Sequence, residues 1–209
     1  GSRPRKLPIA GTELDGVVSL RSIADARLIR ELSSDCTDVV ILGGGFIGLE
    51  IAATLRAGGR NVTVVEAADR LLGRVVAPAI GSHVRQRLET AGVRILTDTT
   101  VSRLEGSNGR VSAAITSGGE SLPAQLAIIG MGVIPNMELA QAAGISTGNG
   151  IRIDQQMRTS QPEILAIGDV ASYRHWFTGN DVRLESVQNA TDQARLAART
   201  IVGHADAYA

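Results

Sequence analysis

The chain has 209 residues, which is enough for one large domain or two small ones, each with a buried core. Its 21 basic and 21 acidic residues cancel and form no long run of either sign, so charge predicts neither nucleic acid nor an anionic membrane as a partner. The single cysteine, Cys36, excludes a CxxC redox pair within these residues, and no apolar stretch approaches the roughly 18 to 20 residues of a membrane span, so we expect a cytoplasmic protein.

Short apolar runs alternate with helical patterns in the first part of the chain, which predicts βαβ units around a parallel sheet. The predicted elements are a strand at Asp38–Leu42, a helix at Ile47–Ala57, a strand at Asn61–Glu66, a helix at Ala77–Ala91 and a strand at Arg94–Thr97. Glycine follows each of the two helical patterns, as is typical where a helix ends.

The pattern then changes. Val101–Glu105 and Arg110–Thr116 flank the turn "GSNG", which predicts an antiparallel meander. The remaining predicted elements are a buried strand at Gln125–Ile129, a short strand at Ile151–Ile153, a buried strand at Ile164–Ile167 and a long helix from about Ser186 to Val202. The predicted fold class is α/β, with a Rossmann-like domain that combines a parallel sheet and an antiparallel meander.

The stretch "VVILGGGFIGLE" contains the spacing G-x-G-x-x-G, carried by Gly43, Gly45 and Gly48. In such a turn the first glycine permits the tight turn, the second lets backbone approach a pyrophosphate, and the third lets helix and strand pack closely. The helix start offers unpaired N–H groups and a positive dipole end to the anion, so Phe46 and Ile47 are also predicted contacts. The spacing alone also fits an ordinary glycine-rich turn, so a second signal is needed.

Glu66 is that signal, because it ends the next predicted strand 18 residues after Gly48. A carboxylate there accepts hydrogen bonds from an adenosine ribose and repels a 2′-phosphate, which predicts NAD(H) over NADP(H). Arg70 lies nearby as a predicted contact that weakens this preference. Glu50, in the first turn of the helix after the glycines, either complements the helix dipole or contacts the nicotinamide end of the cofactor.

Five segments, in unbroken order, resemble the FAD-dependent NADH:ferredoxin reductases of the putidaredoxin and rubredoxin reductase kind, within the pyridine nucleotide-disulfide oxidoreductase superfamily. They are "VVILGGGFIGLE", "VTVVEAADRLLGRVVAP", "AIIGMGVIPNMELAQAAGI", "MRTSQPEILAIGDVA" and "RLESVQNATDQARLAA". The resemblance implies an enzyme that passes electrons from NADH through FAD to a [2Fe-2S] ferredoxin or rubredoxin-type acceptor serving an oxygenase. It also implies an NAD(H)-binding domain at 35–151 and a partial, discontinuous FAD-binding domain at 1–34 and 152–209.

The resemblance implies further cofactor contacts. Gly130 and Gly132 of "GMGVIP" would form a wall of the NAD site, although the segment also fits a strand-to-loop turn. Gly168 and Asp169 of "IGD" would hold the ribityl chain of FAD, although they also form an ordinary turn pair. In "RLESVQNA" the implied flavin contacts lie at the start of a helix, where one of them, the serine, is equally a plain N-cap; they are Glu185, Ser186, Val187 and Gln188. No catalytic acid or base is predicted, because the transfer itself requires none. No metal ligand is predicted either, because His83, His175 and His204 are scattered without metal-ligand spacing.

The family's FAD domain begins with a glycine-rich unit that these residues lack, so the chain is expected to be an inactive piece that binds NAD(H) without FAD. Two alternatives stay open: an NADH-dependent disulfide or peroxide reductase on the same fold, and a stand-alone NADH-binding module without flavin. Arg195 and Arg199 lie four residues apart on the last predicted helix. They form either a docking face for an acidic ferredoxin or a solvated helix face.

Overall fold

The computed structural model describes residues 1–204 and 206–208, which form thirteen strands and five helices. The strands are β1 (Ser2–Pro4), β2 (Val17–Ser19), β3 (Asp38–Leu42), β4 (Asn61–Val65), β5 (Arg94–Leu96), β6 (Val101–Ser107), β7 (Arg110–Thr116), β8 (Ser121–Pro123), β9 (Leu126–Ile129), β10 (Val133–Pro135), β11 (Ile151–Arg152), β12 (Ala171–Arg174) and β13 (Asp181–Val182). The helices are α1 (Ile23–Ser34), α2 (Phe46–Ala57), α3 (Pro78–Thr90), α4 (Glu138–Ala142) and α5 (Val187–Ile201). Among the helices of these residues, none has both the length and the apolar composition that crossing a bilayer requires.

The chain divides into two compact units. The first, which we call the parallel-sheet unit, is Pro4–Gly132. The second, the C-terminal unit, consists of Gly1–Arg3 together with Val133–Ala209. Each has its own sheets and its own cluster of buried side chains.

These boundaries differ from the predicted domain limits at residues 34/35 and 151/152. Strand β2 pairs with β9, and helix α1 buries Ile29 in the core below the same sheet, so most of the first 34 residues belong to the parallel-sheet unit. Residues 133–151 belong to the C-terminal unit instead. The assignment of one cofactor to each part of the chain stays a prediction.

The parallel-sheet unit is built on five strands in the order β2-β9-β3-β4-β5, and every neighbouring pair is parallel. Val40 of the central strand β3 lies between Thr63 of β4 and Ala127 of β9. Aliphatic residues dominate these strands because both faces of the sheet are covered. The register brings the ends of three strands side by side at Leu42, Val65 and Ile129.

Alternation along β3 divides the core into two clusters. Val39 and Ile41 pack with residues from the helices, whereas Val40 and Leu42 pack with residues from the antiparallel meander β6-β7-β8. Successive side chains of a strand point to opposite faces, so one central strand anchors both layers. Both layers leave the carboxyl edge of the sheet open for the loops that follow β3, β4 and β9.

The C-terminal unit has shorter elements. Strand β12 pairs in parallel with β11 and antiparallel with β13, and β1 pairs with β10. The longest element is α5, and its buried face supplies Leu196 and Ala197 to a small core with Met157. A 3₁₀ turn at Gly168–Val170 precedes β12.

The predicted strands and helices of the parallel-sheet unit are confirmed within one or two residues, as are the meander and α5. The predicted buried strand at Ile164–Ile167 is wrong. This segment makes one isolated bridge, between Leu165 and Arg158, and Ile164 and Ile167 are 43% and 38% exposed. An apolar run becomes a strand only where neighbouring strands pair with it.

Candidate functional site

The glycine turn joins β3 to α2 at the carboxyl edge of the parallel sheet. Gly43 has φ +118°, a conformation that favours glycine, and a Cβ built on it would lie 2.5 Å from the carbonyl oxygen of Gly130. A Cβ on Gly48 would collide with the carbonyl oxygen of Gly43. These two glycines therefore let three backbone segments pack together, as the spacing predicted.

Gly45 is different, because its missing side chain is not required by packing. A Cβ built there meets no atom within 4 Å outside its chain neighbours, so Gly45 borders open space. It is also the N-cap of α2, whose first turn leaves its N–H groups without partners inside the helix. Open space beside several free N–H groups at a helix N-terminus is the geometry that binds a phosphate group.

Glu66 follows β4 and is held beside this turn. Its Oε2 accepts a hydrogen bond from the N–H of Gly44 at 2.6 Å, and its Oε1 accepts one from the N–H of Ala68 at 2.8 Å. The side chain is half-buried. A carboxylate can accept about four hydrogen bonds, so this one keeps acceptor sites for the hydroxyls of a sugar.

Gly130 and Gly132 come from the end of β9, on the other side of β3. The N–H of Gly130 donates to Leu42 O at 2.8 Å, and Gly132 has φ +83°. The structure therefore brings both glycines of "GMGVIP" to the same edge of the sheet as the turn at Gly43. They border the turn on the side opposite Glu66, since β9 and β4 flank β3.

Three other predicted contacts lie on the first turns of α2. Phe46 is 55% exposed and Ile47 is 43% exposed, and both side chains are available to a ligand. Glu50 is exposed, and its carboxylate has no hydrogen bond or ion pair within the described residues. Both interpretations of Glu50 stay open.

Arg70, also predicted as a contact, has a structural task. Its guanidinium donates to Gly73 O at 2.5 Å and to Val76 O at 3.0 Å, both within the loop between β4 and α3. The same loop is tied to the glycine turn, because the N–H of Leu72 donates to Gly44 O at 3.0 Å. Its predicted role toward the cofactor stays a prediction.

The predicted flavin contacts lie in the C-terminal unit. Gly168 is buried with φ +71°, and its N–H donates to Gln193 Oε1 at 2.7 Å. The carbonyl of Asp169 accepts from Arg183 at 2.8 Å, while its carboxylate has no partner in the described part of the chain. The turn therefore presents a free carboxylate on a backbone that the buried Gln193 and the partly buried Arg183 hold in place.

Helix α5 begins close behind in the chain. Ser186 is its N-cap, and its hydroxyl accepts from the N–H of Asn189 at 3.1 Å, so the predicted capping role is confirmed. Val187 is 85% exposed, and Glu185 pairs with Arg183 at 2.5 Å. Gln188 donates to Asp192 at 2.6 Å. Any flavin role of these residues stays a prediction.

Sequence reasoning missed three residues that shape these turns. A Cβ on Gly44 would lie 2.6 Å from Leu71 Cδ2, so the middle glycine of "GGG" is also required. Arg183 and Gln193 hold the two sides of the Gly168–Asp169 turn. The run of three glycines was a visible signal for Gly44, whereas nothing in the sequence distinguishes a buried glutamine from a solvated one.

The groups with shifted pKa values lie outside the predicted cofactor contacts. Burial raises the pKa of the Cys36 thiol, and burial also raises the pKa of Tyr173 and Tyr208, whose rings meet edge to face at 5.2 Å. Within the residues that the structure describes, no group of three or more His, Cys, Asp or Glu side chains is arranged to hold a metal ion. The candidate site is thus a set of glycines, free N–H groups and carboxylates suited to binding a nucleotide.

Known proteins resemble this chain in sequence and in fold. The model of the family "Pyridine nucleotide-disulphide oxidoreductase" matches residues 1–194. The chain belongs to this family. A rubredoxin-NAD(+) reductase of Pseudomonas putida is 45% identical over 203 residues, which cover 97% of this chain and 53% of the relative. A putidaredoxin reductase of the same species is 41% identical over 208 residues and is covered to 49%.

Solved structures of ferredoxin reductases also resemble this chain in fold. The crystal structure of a ferredoxin reductase for the CYP199A2 system from Rhodopseudomonas palustris superposes with a TM-score of 0.97 at 44% identity, over 100% of this chain and 52% of that one. The chain therefore has the family's fold across its whole length. It spans about half the length of the curated relatives it matches.

Proposed function

We propose that this chain binds NAD(H) at the glycine turn of the parallel-sheet unit and belongs to a flavoprotein that passes electrons from NADH through FAD to an iron-sulfur or rubredoxin-type acceptor. The observation that carries the proposal is the pairing of two features. Gly45 borders open space at the start of α2. The Glu66 carboxylate accepts a hydrogen bond from the N–H of Gly44, the residue that precedes Gly45. A phosphate and a ribose diol are the groups that this pair recognises.

The same geometry favours NADH over NADPH. Glu66 keeps lone pairs for the adenosine ribose, and its negative charge opposes a 2′-phosphate. Arg70 forms no ion pair with Glu66 among the described residues, and its guanidinium instead donates to two loop carbonyls. Two of the relatives are named rubredoxin-NAD(+) reductases, and another is named a ferredoxin--NAD(P)(+) reductase.

The FAD part of the proposal rests on the C-terminal unit. The free carboxylate of Asp169 suits a ribityl hydroxyl, and the start of α5 at Glu185, Ser186 and Val187 suits the pyrimidine edge of the flavin, because a helix N-terminus stabilises negative charge there. Bound FAD would supply hydride acceptance from NADH and one-electron transfer to the acceptor. These residues bind and orient the ring, and Gly168 keeps the backbone close to it.

We also propose that Arg195 and Arg199 help to dock an acidic ferredoxin. Arg195 is 75% exposed in its side chain and lies 3.6 Å from Asp192, and Arg199 pairs with Asp206 at 2.6 Å. Both arginines line one shallow groove of α5. Exposed pairs of this kind contribute little, so an acidic partner can compete for the guanidinium groups.

The docking proposal has its own test in the complete enzyme. Arg195→Glu is expected to slow ferredoxin reduction, more strongly at low salt, while NADH oxidation by a small dye is unchanged. Loss of both activities would contradict docking and indicate a folding defect. An unchanged ferredoxin rate at low salt would also contradict it.

Calorimetric titration of the chain with NADH tests the main proposal. We expect one site per chain, with NADPH binding at least tenfold more weakly, because a 2′-phosphate would face Glu66. Absence of NADH binding would refute the assignment. A flavin spectrum of the complete gene product, bleached by NADH, tests the FAD step separately.

One alternative is favoured by a specific observation. The parallel-sheet unit has two core clusters of its own, so it is able to serve as an NADH-binding module without flavin. A disulfide or peroxide reductase has no support from the cysteine in this chain, since Cys36 is buried and its thiol pKa is raised. NADH binding without any flavin in the complete gene product would select the module.

A further inference from the structure

The loop between β4 and α3 crosses the front of the glycine turn. It leaves β4 at Glu66, whose carboxylate accepts from the N–H of Gly44. Six residues later the N–H of Leu72 donates to the carbonyl of the same Gly44 at 3.0 Å. The loop is thus held against the turn that follows β3, and β3 lies between β4, which precedes Glu66, and β9, which precedes Gly130.

The loop is rigid where it passes the turn. Leu71 and Leu72 are 1% and 5% exposed, and Leu72 has φ +55°, which a leucine adopts only when its surroundings hold it there. Arg70 bridges the carbonyls of Gly73 and Val76, and so closes the loop on itself. The residues that follow Leu72 are therefore presented from a fixed backbone.

Arg74 is the second arginine of this loop, and it is presented very differently from Arg70. It is exposed, and its guanidinium has no hydrogen bond or ion pair within the part of the chain that the structure describes. Its Nη2 lies 3.7 Å from the position that a Cβ would occupy on Gly132. The unpaired guanidinium of Arg74 therefore lies beside Gly132, in the segment that follows β9.

This position decides which part of a dinucleotide Arg74 can meet. Glu66, the predicted partner of the adenosine ribose, follows β4, whereas Gly132 follows β9, and β3 lies between these strands. A dinucleotide that runs from Glu66 toward Gly132 must place its diphosphate over the intervening glycine turn. Arg74 approaches that position from the Gly132 side, away from the ribose that would carry a 2′-phosphate.

We propose that Arg74 binds the diphosphate of the dinucleotide, opposite the N–H groups of α2, and that Arg70 acts as a positioning residue for it. The proposal rests on the NAD(H) site proposed above. A guanidinium supplies up to five donors in a planar fork, which matches phosphate oxygens better than any other side chain. The N–H groups of α2 and the Arg74 guanidinium then contact the diphosphate from two sides.

The test is calorimetric titration of wild-type protein, Arg74→Ala and Arg74→Lys with NADH, NADPH and adenosine. Arg27 on α1 is also exposed and without a partner in the described residues, so Arg27→Ala is the control for loss of one positive charge. Arg74→Ala is expected to weaken NADH and NADPH by the same factor, roughly tenfold or more for a charge-assisted contact, and to leave adenosine unchanged. Arg74→Lys should keep part of the affinity because it keeps the charge.

Each result separates this inference from the proposed function. NADH binding that is unchanged in Arg74→Ala would overturn the inference and leave the NAD(H) site standing. A loss confined to NADPH would mean that Arg74 meets the 2′-phosphate, and an equal loss for adenosine would mean a damaged site; both overturn the diphosphate contact. If wild-type protein does not bind NADH, the proposed function fails, and this inference fails with it.

Discussion

The parallel-sheet unit and the C-terminal unit differ in how much of their structure their own residues support. The first has a five-stranded sheet with seventeen buried residues on one face and ten in the cluster on the other. The second has strands of two to four residues and a core cluster of three. Two of its large apolar side chains, Leu139 and Val187, are 86% and 85% exposed.

This difference bears on the two predicted sites. The turn at Gly43 is fixed by packing against Gly48 and Gly130, so its shape follows from the core that surrounds it. The turn at Gly168 depends on two hydrogen bonds, from its own N–H to Gln193 and from Arg183 to Asp169. The turn at Gly43 is therefore expected to keep its shape under destabilising conditions that alter the shape of the turn at Gly168.

Expressing the two units as separate fragments should have the largest effect on folding. Residues 4–132 are expected to unfold cooperatively and to bind NADH within about twofold of the full chain, because both core clusters are retained. Residues 133–209 are expected to show no cooperative transition, because a hydrophobic core cluster of three buried residues does not offset the loss of chain entropy. Circular dichroism melts of the two fragments check this. Cooperative folding of the second fragment alone would remove the contrast between the units.

Within the parallel-sheet unit, substitution by alanine should affect mainly stability at Gly48 and mainly NADH binding at Gly45. Gly48→Ala places a methyl group against the carbonyl of Gly43, so it is expected to lower the free energy of unfolding by about 2 to 3 kcal/mol. Gly45→Ala meets open space and should cost less than about 1 kcal/mol, yet weaken NADH binding by obstructing the phosphate. Urea unfolding and NADH titration of both variants separate the two roles. Equal stability losses would contradict the division between packing and binding.

Glu66 should have the smallest effect on folding and a clear effect on cofactor choice. Glu66→Ala is expected to narrow the difference between NADH and NADPH binding by about 1 to 3 kcal/mol, the value of a charge-assisted hydrogen bond. Glu66→Gln is the comparison variant, since it removes the charge and keeps one acceptor oxygen for the N–H of either Gly44 or Ala68. If both variants discriminate as the wild type does, the choice of cofactor lies elsewhere.

Sequence reasoning succeeded where the structure depends on local spacing. The turn at Gly43, Gly45 and Gly48 lies within six residues, and the packing roles of Gly43 and Gly48 follow from steric limits that any chain obeys. The role of Gly45 toward a pyrophosphate stays a prediction. Glu66 was equally accessible, because a strand end is predictable from its apolar run. The family resemblance agrees with the comparisons for the same reason, since its motifs are local.

The wrong strand prediction concerns pairing between distant parts of the chain. Ile164–Ile167 has the composition of a buried strand, but no strand of the described residues pairs with it beyond the single bridge at Leu165. Arg70 and Arg74 are four residues apart and chemically identical, yet one is tied to loop carbonyls and the other is free. Spacing alone cannot distinguish them, because the difference arises from how the loop folds against Gly44.

Amide hydrogen exchange of the full chain, with and without saturating NADH, tests whether NAD(H) binds at the glycine turn of the parallel-sheet unit. We expect slower exchange at the first turn of α2, from Gly45 to Gly48, and at Gly132, because those N–H groups would contact or border the cofactor. No change is predicted at the Gly168 turn or at the start of α5. Bound NADH that leaves the first turn of α2 unprotected, or that protects the C-terminal unit instead, would contradict the account.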